Sequence, residues 1–253
     1  MELMRKMESS ISVCIPVHDP DFVNEVNLRD LLNSIISQEL PPLEVIITSN
    51  HKVPYLENLL SQLKPRFQVI HEVMPTSGAV DNFNNSFGLS RGEVVKFICQ
   101  DDFLLHSKAL GLIYQELMNS PQNWLVHGTI HFISADGTFD RKIKPKLRGD
   151  LRRGINRIGG PTSTAFRRSS YQQMDPLLQF AYDCDWYLRM AHASGKPKII
   201  SKPLAGVRLH DGQSTHSEEW RLNKEIIHML DAHNSKKMKD LTRCRCQDGE
   251  FQI

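Results

Sequence analysis

Ile11-Ser-Val-Cys-Ile-Pro-Val17 is a short, β-branched apolar run, broken by His18-Asp19-Pro20-Asp21. A run without polar alternation predicts a strand buried on both faces, the situation of a central parallel strand. Working outward, Leu28, Leu31, Leu32, Ile35 and Ile36 recur at helical spacing and give one apolar face, which Pro41-Pro42 closes. Leu43–Thr48 predicts the next strand, Leu56, Leu59, Leu60 and Leu63 the next helix face, and Phe67–His71 a third strand. A polar stretch from Gly78 to Arg91 predicts a helix after a loop, and Val94–Cys99 is a fourth strand. This alternation with short connections runs to about residue 120 and predicts an α/β fold, a doubly wound, mostly parallel sheet with right-handed crossovers.

After Pro121 the pattern changes. Trp124–Ile133 reads as a strand with Ala135-Asp-Gly137 as its turn, and residues 141–157 read as a basic loop. Helices are expected near 169–175, 184–194 and 217–233, and strands near 164–167, 197–201 and 204–210. The division expected is residues 1–120 as one α/β half, 121–235 as a second, smaller mixed half of the same domain, and 236–253 as a polar tail.

Composition narrows the function. A chain of 253 residues can bury one substantial core. A net charge of +2 does not describe a polycation for nucleic acid, and the basic 141–157 segment lacks the interleaved aromatics that stack bases, so no nucleic-acid partner is expected. Cys14, Cys99, Cys184, Cys244 and Cys246 are odd in number, and two lie in apolar runs; a reducing, cytoplasmic compartment is expected rather than a disulfide framework. No apolar run has the length of a signal peptide or a membrane span. Arg141, Lys142, Lys144, Lys146, Arg148, Arg152, Arg153 and Arg157 concentrate positive charge, which suits a solvated loop, a closure over a diphosphate, or peripheral contact with an anionic membrane surface.

In open α/β sheets ligands bind beyond the carboxyl ends of the strands, and Asp101-Asp102 stands there, just past Val94–Cys99. Adjacent carboxylates after a buried strand are costly unless satisfied, and a hard divalent cation satisfies them. A helix N-cap uses the same residue type, and the pair by itself leaves both readings open.

Four ordered blocks around that pair resemble glycosyltransferase family 2, the inverting nucleotide-sugar-dependent enzymes of the GT-A fold. They are Ser12-Val-Cys-Ile-Pro-Val-His-Asp19; Gly78…Asn84…Gly92-Glu-Val-Val-Lys-Phe-Ile-Cys-Gln-Asp-Asp102; Tyr182-Asp183-Cys-Asp185-Trp186-Tyr-Leu-Arg189; and Val207-Arg-Leu-His210-Asp-Gly-Gln-Ser-Thr215. The resemblance implies a Rossmann-like half that binds the nucleotide sugar and an acceptor-side half. It implies that Pro16, Val17, His18 and Asp19 line the base and ribose pocket, with Asn84, Cys99 and Gln100 near the nucleotide. Asp101 matches the metal-binding aspartate of a D-x-D motif, His210 a histidine that joins the metal or the diphosphate, and Mn2+ or Mg2+ is the implied cofactor. Asp183 matches the general base, and its aromatic neighbours would desolvate it and raise its pKa; a helix N-terminal partner is the other reading. Asp102 supports Asp101 or faces the acceptor; Asp185 and Trp186 fall on the acceptor side, as do Gly160 and Thr162 of Gly159-Gly-Pro-Thr-Ser163, a segment that also reads as a plain turn before a strand.

Two departures bear on the donor. Cys99 stands where the family usually has an aspartate for the ribose hydroxyls, and Thr48-Ser-Asn-His51 replaces an aspartate-rich turn that reads uracil. A thymidine nucleotide, lacking the 2′-hydroxyl, loses least from this, so a dTDP-sugar is expected first, with UDP- or GDP-sugars next, and a glycan or lipid-linked glycan of surface polysaccharide synthesis as acceptor. A sugar-1-phosphate nucleotidyltransferase would place a glycine-rich basic loop after the first strand, and Val17-His-Asp-Pro-Asp-Phe22 is not one. A non-catalytic nucleotide-sugar-binding module shares the departures but has no use for Asp183.

Overall fold

The structure, a computed structural model, describes residues 10–17, 25–75, 78–133, 137–147, 151–210 and 219–233. Ile11–Val17 forms β1, with every residue buried. On one side it pairs in parallel with β2 (Glu44–Ser49), and β2 with β3 (Gln68–Val73); on the other side it pairs in parallel with β4 (Val94–Phe97). Helices α1 (Glu25–Ile36), α2 (Leu56–Leu63) and α3 (Ala79–Leu89) make the crossovers. Alternation along β1 explains its unbroken apolarity. Ile11, Val13, Ile15 and Val17 enter a cluster with Leu28, Leu31, Leu32 and Ile35 of α1, whereas Cys14 enters the opposite cluster with Val80 and Phe83 of α3. Each large aliphatic side chain so enclosed contributes about 1.5–3 kcal/mol.

Past β4 the chain forms β5 (Phe103–Leu104), α4 (Ala109–Met118), β6 (Trp124–Ile133), β7 (Phe139–Ile143), β8 (Thr164–Arg167), α5 (Tyr182–Ser194), β9 (Lys198–Leu209) and α6 (Glu219–His233). Among the described residues these strands continue one sheet in the order β3-β2-β1-β4-β8-β6-β9-β5, with β7 paired to β6 outside that path. β8 runs antiparallel between β4 and β6, so the sheet changes character next to Asp101.

Several expected elements differ. The basic 141–157 stretch is not all loop, because the free edge of long β6 takes up Phe139–Ile143 as β7; those side chains are mostly exposed, which is why no apolar period announced it. Of the expected turn, Ala135 and Asp136 lie outside the described residues, as does the 236–253 tail. In place of a helix at 169–175 there is only a 3-10 turn, Arg168–Ser170. The side chain of Asn84 bonds the Tyr171 hydroxyl and both backbone groups of Met174, holding that segment irregular. The two strands expected at 197–201 and 204–210 are one, β9, whose register against β6 shifts at Gly128; a bulge there accommodates Pro203, and a Cβ on Gly128 would lie 2.9 Å from the Ser201 carbonyl oxygen.

At the amino end of the central strands, Glu44 is 0% exposed. It accepts from the Ser12 hydroxyl at 2.7 Å, the Arg91 backbone N–H at 2.6 Å and the Arg91 Nε at 2.9 Å. Ser12 Oγ in turn accepts from the Gly92 N–H at 2.8 Å. A Cβ at Gly92 would sit 2.5 Å from the Ser12 nitrogen, so only glycine permits this approach.

Candidate active site

Val94–Phe97 ends at the sheet's carboxyl edge, and the next residues turn under β9. The Asp101 Oδ2 lies 2.8 Å from Nε2 of His210, which directly follows β9. Arg208, on β9, donates from Nη1 to the Asp101 carbonyl oxygen at 2.7 Å and from Nη2 to Asp30 of α1 at 2.7 Å. Its guanidinium stacks 4.6 Å from the centre of the Phe103 ring, and that ring fits because its cross-strand partner is Gly206, where a Cβ would lie 2.4 Å from it. A cross-strand glycine thus seats an aromatic ring, the ring seats an arginine, and the arginine fixes the backbone of Asp101.

Asp102 turns inward and is 4% exposed. It accepts from the Thr162 hydroxyl at 2.5 Å and from the Arg208 N–H at 3.3 Å. Burial and the neighbouring charge of Asp101 push its pKa well above the usual carboxylate range. The Thr162 hydroxyl also accepts from the Cys99 N–H at 2.9 Å. Thr162 belongs to a 3-10 turn, Pro161–Ser163, whose entry at Gly159 takes a φ of +114°.

The same loop reaches Asp183 in the first turn of α5. Asn156 Nδ2 donates to Asp183 Oδ2 at 2.6 Å and to the Gly159 carbonyl oxygen at 3.0 Å, which the Tyr187 hydroxyl also meets at 2.7 Å. The Cys184 N–H donates to Asp183 Oδ1 at 2.7 Å. Burial raises the Asp183 pKa, and these donors only partly offset it. Tyr182, one residue before Asp183, packs its ring 5.8 Å from the Phe83 ring. Its hydroxyl pKa is raised by burial and then by Cys99, Asp183, Asp101 and Asp102 together.

Among the described residues no three histidine, cysteine, aspartate or glutamate side chains gather as a metal cage. The Asp101 carboxylate is the oxygen donor that a hard divalent cation uses, with ligand phosphates and water completing its shell; the His210 imidazole, bonded to it at 2.8 Å, would have to give up that bond to join as a ligand.

The other expected site residues divide. Pro16 and Val17 are buried at the end of β1, and His18 and Asp19 lie outside the described residues, as does the Asp211–Thr215 part of the fourth block. Cys99 and Gln100 are partly exposed beside Asp101, and burial keeps the Cys99 thiol protonated. Gly160 is exposed at the turn. Thr162, expected to meet an acceptor, is 2% exposed and carries Asp102 instead. Asn84 braces Tyr171 and Met174 with both ends of its amide. Asp185 and Trp186 are each 0% exposed: Asp185 binds Arg189 at 2.5 Å and His233 at 2.7 Å, and Trp186 donates to the Gln172 carbonyl oxygen. These last two join α5 to α6 and to the core; in this structure they offer no surface to an acceptor.

Arg208 and Asn156 are residues of the candidate site that motif spacing did not single out. Arg208 stands inside a recognised block, two residues before His210, so adjacency was the available signal. Asn156 stands alone in the basic segment and had none.

Comparison with known proteins agrees with this fold. A structure of S. aureus TarS 1-349 in complex with UDP-GlcNAc superposes with a TM-score of 0.69 at 14% identity, covering 92% of this chain and 69% of that one. TarS 1-349 in complex with UDP gives 0.62 at 12% identity over 88% and 71%. A longer S. aureus TarS chain gives 0.61 at 14% identity, and the present chain spans only 44% of it. At such identities the likeness establishes the GT-A fold. No curated protein matches the sequence significantly. The family model for glycosyl transferase family 2 matches residues 12–175, well over half of the chain, and the chain belongs to glycosyl transferase family 2.

Proposed function

We propose that the protein transfers a sugar from a nucleoside diphosphate sugar to an acceptor hydroxyl with inversion at the anomeric carbon. The observation that carries this reading is that one loop joins the acids beyond the carboxyl edge of the sheet: Thr162 bonds Asp102, next to the Asp101–His210 pair, and Asn156, which also holds the Gly159 carbonyl, bonds Asp183. Asp183 takes the proton of the attacking hydroxyl. Its raised pKa suits a base working near neutrality, and Asn156 and the Cys184 N–H fix both of its oxygens. A single in-line displacement with one base inverts configuration. Mn2+ or Mg2+, held by Asp101 and His210, would neutralise charge on the departing diphosphate.

The 1–120 half would hold the nucleotide, with the partly exposed Cys99 and Gln100 nearest to it rather than the enclosed Pro16 and Val17, and the 121–235 half the acceptor. The TarS complexes with UDP-GlcNAc and UDP add weight to a uridine nucleotide; the neutral Cys99 thiol in place of a ribose-binding carboxylate keeps a dTDP-sugar in view. Among the described residues no helix is long and apolar enough to cross a membrane. The exposed Arg141, Lys142, Lys144 and Lys146 suit a lipid-linked glycan acceptor met at the inner face of a membrane by a cytoplasmic enzyme of surface polysaccharide synthesis.

Asp183→Asn is expected to lower turnover by about 10²–10⁴-fold while nucleotide affinity stays unchanged. Steady-state kinetics paired with calorimetry checks it, and near-wild-type turnover overturns the assignment of the base. In the same calorimeter, UDP-sugars binding far more tightly than dTDP-sugars would settle the donor base as uracil.

A further inference from the structure

Lys96 is a residue of β4 that this chemistry does not use. Alternation along the strand puts it on the same face as Val94, in a layer otherwise built from aliphatic side chains, and it is 0% exposed. A buried ammonium is costly unless its N–H bonds find acceptors. Nζ lies 2.9 Å from Nε2 of His127 and 3.2 Å from the Thr164 carbonyl oxygen, and it also donates to the carbonyl oxygen of Thr162. His127 is itself 0% exposed, with Nδ1 2.9 Å from the Gly128 carbonyl oxygen. An N–H on Nδ1 leaves the Nε2 lone pair for the lysine, and burial, reinforced by the lysine charge, holds the ring neutral. Burial lowers the Lys96 pKa to about 7, and in the charged form its three N–H bonds meet three acceptors. Two of these belong to the short segment that carries Thr162, whose hydroxyl bridges the Cys99 N–H and the Asp102 carboxylate. A methionine would fill much the same volume but leave the Thr162 and Thr164 carbonyls without their donor.

We infer that Lys96 is a positioning residue: its ammonium tethers the Pro161–Ser163 turn to β4, and through Thr162 it holds Asp102 and the Cys99 amide in place beside Asp101. The catalytic consequence rests on the function proposed above; the tether does not. The test compares Lys96→Met, Thr162→Val, the double variant and Thr162→Ser, reading kcat, the donor KM, and amide hydrogen exchange at Cys99 in the free protein.

Because a misplacement of about 1 Å can cost about a hundredfold in rate, Lys96→Met and Thr162→Val should each lower kcat by about that factor with the donor KM little changed. The double variant should be no worse than Thr162→Val, and Thr162→Ser should stay near wild type. Exchange at Cys99 should quicken in Lys96→Met as it does in Thr162→Val, while β1 and β2 keep their protection. Single losses that multiply in the double variant, or a Cys99 amide still protected in Lys96→Met, would overturn the proposal. Should Lys96→Met fail to fold, His127→Leu leaves the ammonium one acceptor short. Faster Cys99 exchange and a smaller fall in kcat are expected there, and wild-type behaviour in both sinks the idea. If the wild type transfers no sugar at all, the exchange result still decides the tether, and the failure falls on the proposed function alone.

Discussion

At the amino end of the central strands Glu44 is fully enclosed; at the carboxyl end Asp102 is nearly so, at 4% exposure. The two buried acids are served differently. Burial pushes both pKa values up, but the Ser12 hydroxyl and the Arg91 backbone and guanidinium donors outweigh it at Glu44, whose pKa is lowered. Asp102 receives one hydroxyl and one long backbone bond, has the negative Asp101 beside it, and its pKa is raised. Arg91 brings its charge into direct contact with the Glu44 carboxylate, whereas the charge of Lys96 acts on Asp102 only from a distance and does not outweigh burial. A buried carboxylate by itself therefore says little about function; the number and charge of its donors distinguish the two ends.

The largest expected test of this contrast is ligand addition. With Mn2+ or Mg2+ and a nucleoside diphosphate at about a hundredfold over Kd, unfolding of the wild type should be delayed by about 2.7 kcal/mol. Asp101→Asn and His210→Ala should lose the metal-dependent share of that shift, whereas Glu44→Gln should keep it. Thermal unfolding with and without a chelator checks this, and an unaltered shift in Asp101→Asn would remove the metal from the site. Next in size, Glu44→Gln should cost about 2 kcal/mol, because it removes charge-assisted hydrogen bonds at the amino end. Denaturant titration gives the stability, and turnover per folded molecule should be unchanged; a large loss of turnover would mean that the two ends are coupled.

The smallest effect is in the pH dependence, where the two ends should have opposite signs. Glu44 has a folded pKa below its ordinary value of 4.5, so its stabilisation is present above that value and lost as pH falls through the lowered folded pKa. Asp183 has a folded pKa above its ordinary 3.8, so the native state holds that proton more tightly, and stability declines as pH rises from 3.8 through the raised value. Urea unfolding from about pH 3 to about pH 7 should show Glu44→Gln flattening the acid-side loss and Asp183→Asn removing the decline above it. Slopes of the same sign in both variants would erase the distinction.

Much of the sheet was legible because burial on two faces leaves an unmistakable record in Ile11–Val17, Glu44–Ser49 and Val94–Phe97. β5 and β7 were not legible. The first has only two residues, and the second is an exposed edge whose side chains face solvent and so carry no period. At the site, Asp101, His210 and Asp183 stood out because the motif blocks come in a recognisable order. Asp185 and Trp186 stood out by the same logic, yet a helix places neighbours about 100° apart, so Asp183 sits by Asn156 while Asp185 turns to Arg189 and His233.

By itself the sequence determined the alternating α/β order, the two-faced burial of β1 and the acidic residues at the strand and helix ends, because these depend on local periodicity and short spacing. Only the tertiary structure decided which acids meet donors. His210 reaches Asp101 across 109 positions of sequence, Thr162 reaches Asp102 across 60, and Lys96 reaches Thr162 across 66. No spacing rule encodes such pairings, because they depend on which strands lie side by side in the sheet, and above all on β8 entering antiparallel between β4 and β6.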